Sequence, residues 1–361
     1  MDNIFAIIPA GGFSSRMGEY KPLLPVGGLP AIRGTVEIAL AAGAHPVVVT
    51  GFRAEDLERA LDGSGALLAH NAEYASGMFS SVLTGARALP GDASAFFLLP
   101  ADCRAVRPET LKLLISEAEH REGIVFPTYE GRRGHPPLIP GALLPGLLAH
   151  GGEDGARGYF DKFPSSGVET DDPGVLLDMD TPRDYAATLT ALGLPTYPLE
   201  AECRALFRKY GTAEDIIRHG EQVAELCARV AAAMNSCGFA VDANLLFSAA
   251  LLHDISRAEP EHERRGFELL LREGYPAAAE LVLGHMDAPP EDAPRELELL
   301  FVADKLCRRG RLAPPEETLA ALRVKFRDDG PARAAAEVRM AACEALLEKY
   351  ARVYGVDVIN A

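Results

Sequence analysis

Apolar positions along this chain follow two different rhythms. Over the first half, short apolar runs of strand length alternate with stretches of helical period. The runs cover residues 4–8, 46–50, 66–69, 95–99, 124–127 and 175–177, and helical patterns cover 31–42, 54–61, 80–89 and 108–120. Alternation of this kind predicts crossover connections and a three-layer α/β domain with a mostly parallel sheet. Ligands in such sheets bind beyond the carboxyl ends of strands, so the loops after Ile8 and Leu99 are the places to expect chemistry. The rhythm changes at Gly193-Leu194-Pro195-Thr196-Tyr197-Pro198, where two prolines and a glycine read as a linker. Beyond it there is almost no strand pattern. Helical periods run through 201–210, 214–234, 242–253, 262–272, 276–285 and 297–308. Pro314-Pro315 and Asp328-Asp329-Gly330-Pro331 punctuate the C-terminal region, and the Ala- and Leu-rich stretches 319–326 and 334–350 read as helices that cover the core or meet another subunit. The expected organisation is an α/β domain over 1–192, a linker over 193–200 and an all-α domain over 201–361.

Composition narrows the choice of partner. A chain of 361 residues, 48% hydrophobic and 24% charged, is long enough for each half to bury its own core. A formal charge of −16, from 36 basic and 52 acidic residues, argues against a nucleic-acid backbone as partner. It leaves a nucleotide open, because a divalent cation neutralises acidic ligands and triphosphate together. No apolar run approaches the ~20 residues of a membrane span. The opening Met1-Asp2-Asn3-Ile4-Phe5 lacks the basic lead of a signal peptide. The six cysteines show no C-x-x-C spacing, as expected of reduced structural thiols in a cytoplasmic protein. A membrane is therefore not expected as a partner.

The loop after the first strand reads Ala10-Gly11-Gly12-Phe13-Ser14-Ser15-Arg16-Met17-Gly18-Glu19-Tyr20-Lys21-Pro22. Glycines let backbone amides approach phosphate oxygens, and Arg16 and Lys21 add charge for a triphosphate. The spacing is not that of a Walker loop. As a whole the string resembles the opening signature of the MobA-like NTP transferases. Four further segments match that family in order. They are Asn71-Ala72-Glu73-Tyr74-Ala75-Ser76-Gly77-Met78-Phe79-Ser80-Ser81; Leu98-Leu99-Pro100-Ala101-Asp102; Gly131-Arg132-Arg133-Gly134-His135-Pro136-Pro137; and Asp178-Met179-Asp180-Thr181-Pro182-Arg183-Asp184. The resemblance implies a Rossmann-like nucleotidyltransferase. Ala10, Gly11, Gly12, Arg16, Lys21, Asn71, Ser80 and Asp102 would contact the nucleotide, with Lys21, Asp102 and Arg16 catalytic. Mg²⁺ would sit on Asp102 and Asp180, with Asp178 in reserve for the latter, and His135 would lie near the acceptor.

The family usually has Pro two residues after the metal aspartate. Here the chain reads Cys103-Arg104, and Arg104 is expected beside the phosphates or the acceptor. In the implied reaction an acceptor phosphate oxygen attacks the α-phosphorus of an NTP in line and pyrophosphate leaves. The Gly77-Met78-Phe79-Ser80-Ser81 and Arg133-Gly134-His135-Pro136 segments look closer to the cytidylyltransferase branch than to the guanylyltransferase branch, which implies CTP over GTP and molybdopterin as acceptor.

The helical half carries His219, the pair His253-Asp254, His262, His285 and Asp304. Neutral imidazoles and carboxylates in this mixture suit Mn²⁺, Fe²⁺ or Co²⁺. The order H…HD…H…H…D resembles the HD-domain phosphohydrolases. The resemblance implies a basic metal site of His219, His253, Asp254 and Asp304, extended to a second ion by His262 and His285. Arg257 is a candidate phosphate contact. Met286 stands where some relatives place another His. The implied whole is a bifunctional enzyme, with a molybdoenzyme as a further candidate partner. The alternatives are a transferase for another phosphorylated metabolite, an HD module that regulates by binding a metal or nucleotide, and an accessory chaperone without catalysis.

Overall fold

Along β1 (Ile4–Pro9), Ile4, Ala6 and Ile8 enter one buried cluster and Ile7 enters another. Both faces of the strand are therefore covered, as a continuous apolar run in a parallel sheet requires. The computed structural model describes residues 3–152, 154–308 and 310–360 and divides into two compact units, Met1–Leu194 and Pro195–Ala361. Met1 and Asp2 of the opening segment, and the terminal Ala361, lie outside the described residues.

The N-terminal unit is a three-layer α/β fold. Its strands after β1 are β2 (Pro25–Val26), β3 (Leu29–Pro30), β4 (His45–Thr50), β5 (Leu67–His70), β6 (Ala95–Leu98), β7 (Ile124–Tyr129), β8 (Arg132–Arg133), β9 (Leu138–Pro140) and β10 (Ser165–Glu169). The main sheet runs β10-β7-β9-β6-β1-β4-β5, with β8 on β7 and the β2–β3 pair standing apart. β1 pairs in parallel with β4 on one side, Ile7 opposite Val47, and with β6 on the other, Ile7 opposite Leu98. β9 and β8 are the antiparallel strands.

Helices α1 (Ala31–Ala41), α2 (Ala54–Ala60) and α4 (Pro108–Ala118) send Ile32, Val36, Leu57, Leu111 and Leu114 into the first cluster. Helices α3 (Met78–Ala88), α5 (Leu144–Ala149) and α6 (Gly155–Phe160) send Val82, Ala86, Leu144, Leu147 and Tyr159 into the second. Helix α7 (Pro182–Ala191) opens with a capping box between Thr181 and Asp184. After β1 the chain moves to β4 and β5 on one side, then returns to β6 on the other. That reversal places the loops following β1 and β6 side by side at the switch point of the sheet.

Two expectations differ from the structure here. Residues 175–177, read as a strand, lie mostly in a 3-10 turn, Pro173–Leu176. Asp172 makes that turn: one carboxylate oxygen accepts from the Gly174 amide at 2.9 Å, and the other accepts from Arg107 N and Thr110 Oγ1. The outer parallel strand is instead β10, whose Ser-Ser-Gly-Val-Glu carries one buried apolar residue and so gives little apolar signal.

The C-terminal unit is built from α8 (Glu200–Tyr210), α9 (Glu214–Ser236), α10 (Ala243–Leu252), α11 (His262–Arg272), α12 (Pro276–Gly284), α13 (Arg295–Leu306), α14 (Pro315–Lys325) and α15 (Gly330–Lys349). A short hairpin, β11 (Cys307–Arg308) with β12 (Arg311–Leu312), is strand content that helical periodicity does not announce. α10 is apolar nearly all round and buried, the pattern of a central helix. α9 offers one stripe, Gly220, Val223, Ala224, Cys227, Val230, Ala231 and Met234. Buried Glu298 of α13 receives Lys349 Nζ at 2.6 Å and Tyr350 Oη at 3.1 Å, which ties the end of α15 to the core. Among the described residues no helix is long and apolar enough to cross a membrane.

Candidate functional sites

At the switch point a cavity of about 370 Å³ is lined by the β1 loop, the Tyr74–Ser81 region, Asp102 and Asp180. Several contacts hold the β1 loop in shape. The Tyr20 hydroxyl lies 2.6 Å from the Ala10 carbonyl and 2.9 Å from that of Phe52. The Lys21 amide donates to Ser14 Oγ at 3.1 Å. Phe13 packs against Phe52 and Tyr74. The loop delivers Lys21 to a point between two carboxylates, with Nζ 2.9 Å from Asp102 Oδ2 and 2.7 Å from Asp180 Oδ1. Arg16 adds an exposed contact to the other Asp180 oxygen at 2.7 Å.

Partial burial disfavours the Lys21 ammonium, but the Asp102 charge and the Asp180 hydrogen bond outweigh it and hold its pKa above the ordinary value. Burial likewise raises Asp180, and the bond to Lys21 more than reverses this. Asp178 differs. Burial and repulsion from Asp180 and Asp102 push its carboxyl up. Of the two acids in that segment, Asp180 is the one that lines the cavity.

The other residues expected around the nucleotide and acceptor divide into four groups. Ala10, Gly11 and Gly12 line the cavity. Asn71 is buried behind it. Its amide donates to Ser80 Oγ at 2.8 Å and Ser81 Oγ at 3.0 Å, and its carbonyl oxygen accepts from Glu73 N. Asn71 and Ser80 thus shape the segment, and Ser81, the residue that closes the motif, reaches the cavity wall.

His135 lines a second cavity, of about 330 Å³, with Leu98, Phe126, Phe160, Arg133 and Arg157. Gly134 lets the chain pass the Val175 backbone there, where a Cβ would collide with its carbonyl. Desolvation lowers the His135 imidazole, against Asp102 and Asp178 acting in the other direction. Arg104 goes elsewhere, which corrects the expectation that it faces phosphate or acceptor. Its guanidinium fills the space left by Gly34 of α1, with its Nε buried and unbonded and Glu37 nearby, and it lines neither cavity.

The C-terminal unit gathers its expected residues from five helices. His219 comes from α9, His253 and Asp254 follow α10, His262 opens α11, His285 follows α12, and Asp304 is on α13. Their ligand atoms form three overlapping groups, each within 4.8 Å: His219–His253–Asp254, His253–His285–Asp304 and Asp254–His262–His285. Asp254 Oδ1 is 3.2 Å from His262 Nε2 and 3.7 Å from His285 Nε2, and its Oδ2 is 3.6 Å from His253 Nε2. Asp304 Oδ1 is 3.1 Å from His219 Nε2 and 3.4 Å from His253 Nε2.

His253 and His285 are fully buried. Each turns Nδ1 to a backbone carbonyl, Ala250 at 2.7 Å and Val282 at 2.6 Å. Each is left with a buried Nε2 that has no hydrogen-bond partner. A ring fixed at Nδ1, with a bare Nε2 aimed at carboxylates, is the arrangement that binds a metal. The donor set fits Mn²⁺, Fe²⁺ or Co²⁺. Arg257 reaches the same place, 3.4 Å from Asp254 Oδ1 and 2.9 Å from His262 Nε2. Lys305, which follows Asp304, bonds it at 2.7 Å and also the His285 carbonyl at 3.1 Å.

Close approach of α9 to α10 makes this cluster possible. A Cβ on Gly220 would collide with the Leu251 backbone. Gly220→Ala is expected to cost about 1–3 kcal/mol by overpacking, more than the roughly 1 kcal/mol that alanine returns in helix propensity. It should also weaken Mn²⁺ binding by drawing His219 away. Denaturant unfolding and a Mn²⁺ titration measure both, and unchanged stability would contradict the close-packing account.

Comparison with known proteins finds one family model in each half of the chain. Residues 6–167 match the family model of the MobA-like NTP transferase domain, and residues 216–309 match that of the HD domain. The molybdenum cofactor cytidylyltransferase of Escherichia coli (strain K12) is 28% identical over 186 residues, 51% of this chain and 95% of the relative. A molybdenum cofactor guanylyltransferase of Xanthomonas euvesicatoria is 32% identical over 115 residues, 32% of this chain and 55% of the relative. A solved nucleotidyl transferase of Methanothermobacter shares 28% identity with a TM-score of 0.47, covering 54% of this chain and 99% of its own.

Proposed function

We propose that this enzyme, a MobA-like NTP transferase domain followed by an HD domain, transfers a nucleotidyl group to a phosphorylated acceptor and also hydrolyses a phosphoester. In the first reaction the donor is CTP in preference to GTP, the acceptor is molybdopterin, and pyrophosphate is released. The observation that carries this half is the Lys21 ammonium held between Asp102 and Asp180 at the mouth of the switch-point cavity. Asp102 and Asp180 would hold Mg²⁺, which when bound supplies charge neutralisation at the triphosphate. Lys21, Arg16 and the β1-loop amides stabilise charge developing on the departing pyrophosphate.

The second cavity suits the acceptor. Phe126, Phe160 and Leu98 offer an apolar floor, and Arg133 and His135 line the polar side with Arg157, which is paired to Asp161. An acceptor phosphate oxygen bonds to the α-phosphorus, the bond to the bridging oxygen breaks, and pyrophosphate carries the electrons away. The nucleophile is already anionic near neutral pH, so no side chain is required as general base. A cytoplasmic setting and hand-over of the product to a molybdoenzyme accompany this reading.

Two buried histidines with unpartnered Nε2 atoms support the hydrolytic half. His219, His253, Asp254 and Asp304 would hold one ion, and Asp254, His262 and His285 a second. Such ions activate water and polarise a phosphoryl group. The test is pyrophosphate release from CTP and GTP with Mg²⁺, with and without molybdopterin, beside phosphate release from phosphoesters with Mn²⁺. Acceptor-dependent release that is faster with CTP is expected. Silence with both nucleotides would remove molybdopterin from the reading, and silence with every phosphoester would leave the HD domain as a binding module.

A further inference from the structure

Beyond the metal-ligand cluster a cavity of about 200 Å³ opens against α14 and α15, which lie past residue 309 and outside the HD match. Both helices send residues at helical spacing into it, Leu322, Lys325 and Phe326 from the α14 end, and Ala336, Arg339 and Met340 from α15. Ala336 and Met340 are buried, and Arg339 lies between them on the same core-facing stripe. Arg339 itself is half-buried and Lys325 is exposed. No ion pair to Arg339 occurs among the described residues, and Lys325 stands over the Phe326 ring at 5.0 Å. The cations nearer the cluster are already engaged, Arg257 with Asp254 and Lys305 with Asp304.

We propose, on the basis of the hydrolase reading above, that this cavity is a subsite for a second phosphate and an attached organic group. The HD domain would then act on an organic phosphoanhydride rather than a simple phosphomonoester. One phosphate lies at the His–Asp cluster, the next is held by Arg339 and Lys325, and the organic group rests against Phe326, Leu322 and Met340. Hydrolysis adds water across the anhydride. The water oxygen bonds to the phosphorus at the cluster, the bridging oxygen leaves with the second phosphate, and the protons of water end on the two products. The bidentate guanidinium of Arg339 suits that second phosphate better than a point charge does.

The test compares a nucleoside diphosphate with p-nitrophenyl phosphate, using full-length protein with Mn²⁺. All proteins carry Lys21→Ala, so that the N-terminal cavity does not act on the probe. Arg339→Gln is expected to lower the ratio of kcat/KM for the diphosphate over that for the monoester by about tenfold or more. An unchanged ratio overturns the subsite, whether both substrates suffer equally or neither does. If neither probe turns over, the hydrolase reading itself fails and the subsite is read by calorimetry with methylenediphosphonate and Mn²⁺. Weakening of about tenfold by Arg339→Gln then sustains it, and equal affinity overturns it.

Discussion

Asp254→Ala is expected to remove metal-dependent phosphoester hydrolysis by about a thousandfold or more. Asp254 appears in two of the three ligand groups and faces His253, His262 and His285 at once. Its loss strips a donor from both ion positions. It also takes from the buried His285 the carboxylate nearest to it, while His253 keeps Asp304, so a small loss of stability accompanies the loss of activity. Mn²⁺ titration and phosphate release measure the effect, and circular dichroism establishes that the fold remains. Pyrophosphate release by the N-terminal domain should stay within about twofold, because separate domains have separate cores. A variant that keeps full Mn²⁺ affinity would show that the cluster does not bind the ion through Asp254.

Asp102→Ala carries the opposite expectation. Nucleotidyl transfer falls by about a thousandfold, while Mn²⁺-dependent hydrolysis persists. The variant removes a carboxylate from the candidate Mg²⁺ site and one of the two anchors of Lys21, leaving Nζ with Asp180 alone. Transfer is followed by pyrophosphate release across a Mg²⁺ series. Recovery at high Mg²⁺ would restrict Asp102 to ion affinity, and no recovery would add a role in placing Lys21. Loss of both activities from either variant, with folding intact, would rule out two independent sites.

Much of the N-terminal site is legible in the sequence, for a physical reason. Asp102 and Asp180 lie 81 and 159 positions beyond Lys21. Each of the three nevertheless sits in a loop or turn with little freedom in residue type, so its surroundings carry a long motif. The six metal-ligand candidates sit at helix ends or on helix faces around one apolar centre, and their order survives any packing of those helices.

Arg104 is not legible. Its direction depends on a hole over Gly34 of a distant helix, and no local pattern reports a hole. The turn at Pro173–Leu176 imitates a strand, because three apolar residues in a row look extended until Asp172 is seen to bind backbone on two segments. Arg157 gives no signal because it comes from a helix outside the motifs, where it pairs with Asp161. The C-terminal helices declare themselves as helices, but periodicity alone does not distinguish an arginine on a core-facing stripe from one at its solvent margin.

The position of Lys21 sets the order in which ligands arrive. Its ammonium is an internal counter-ion, sparing Asp102 and Asp180 the repulsion they would exert on each other as bare anions. Lys21 can turn to a triphosphate only when another cation replaces it at those carboxylates, and the carboxylates release it most readily when a triphosphate receives it. If the site binds as proposed, nucleotide and divalent ion would be thermodynamically linked, each raising the affinity for the other by the same factor. On that reading the site would take them up as a pair.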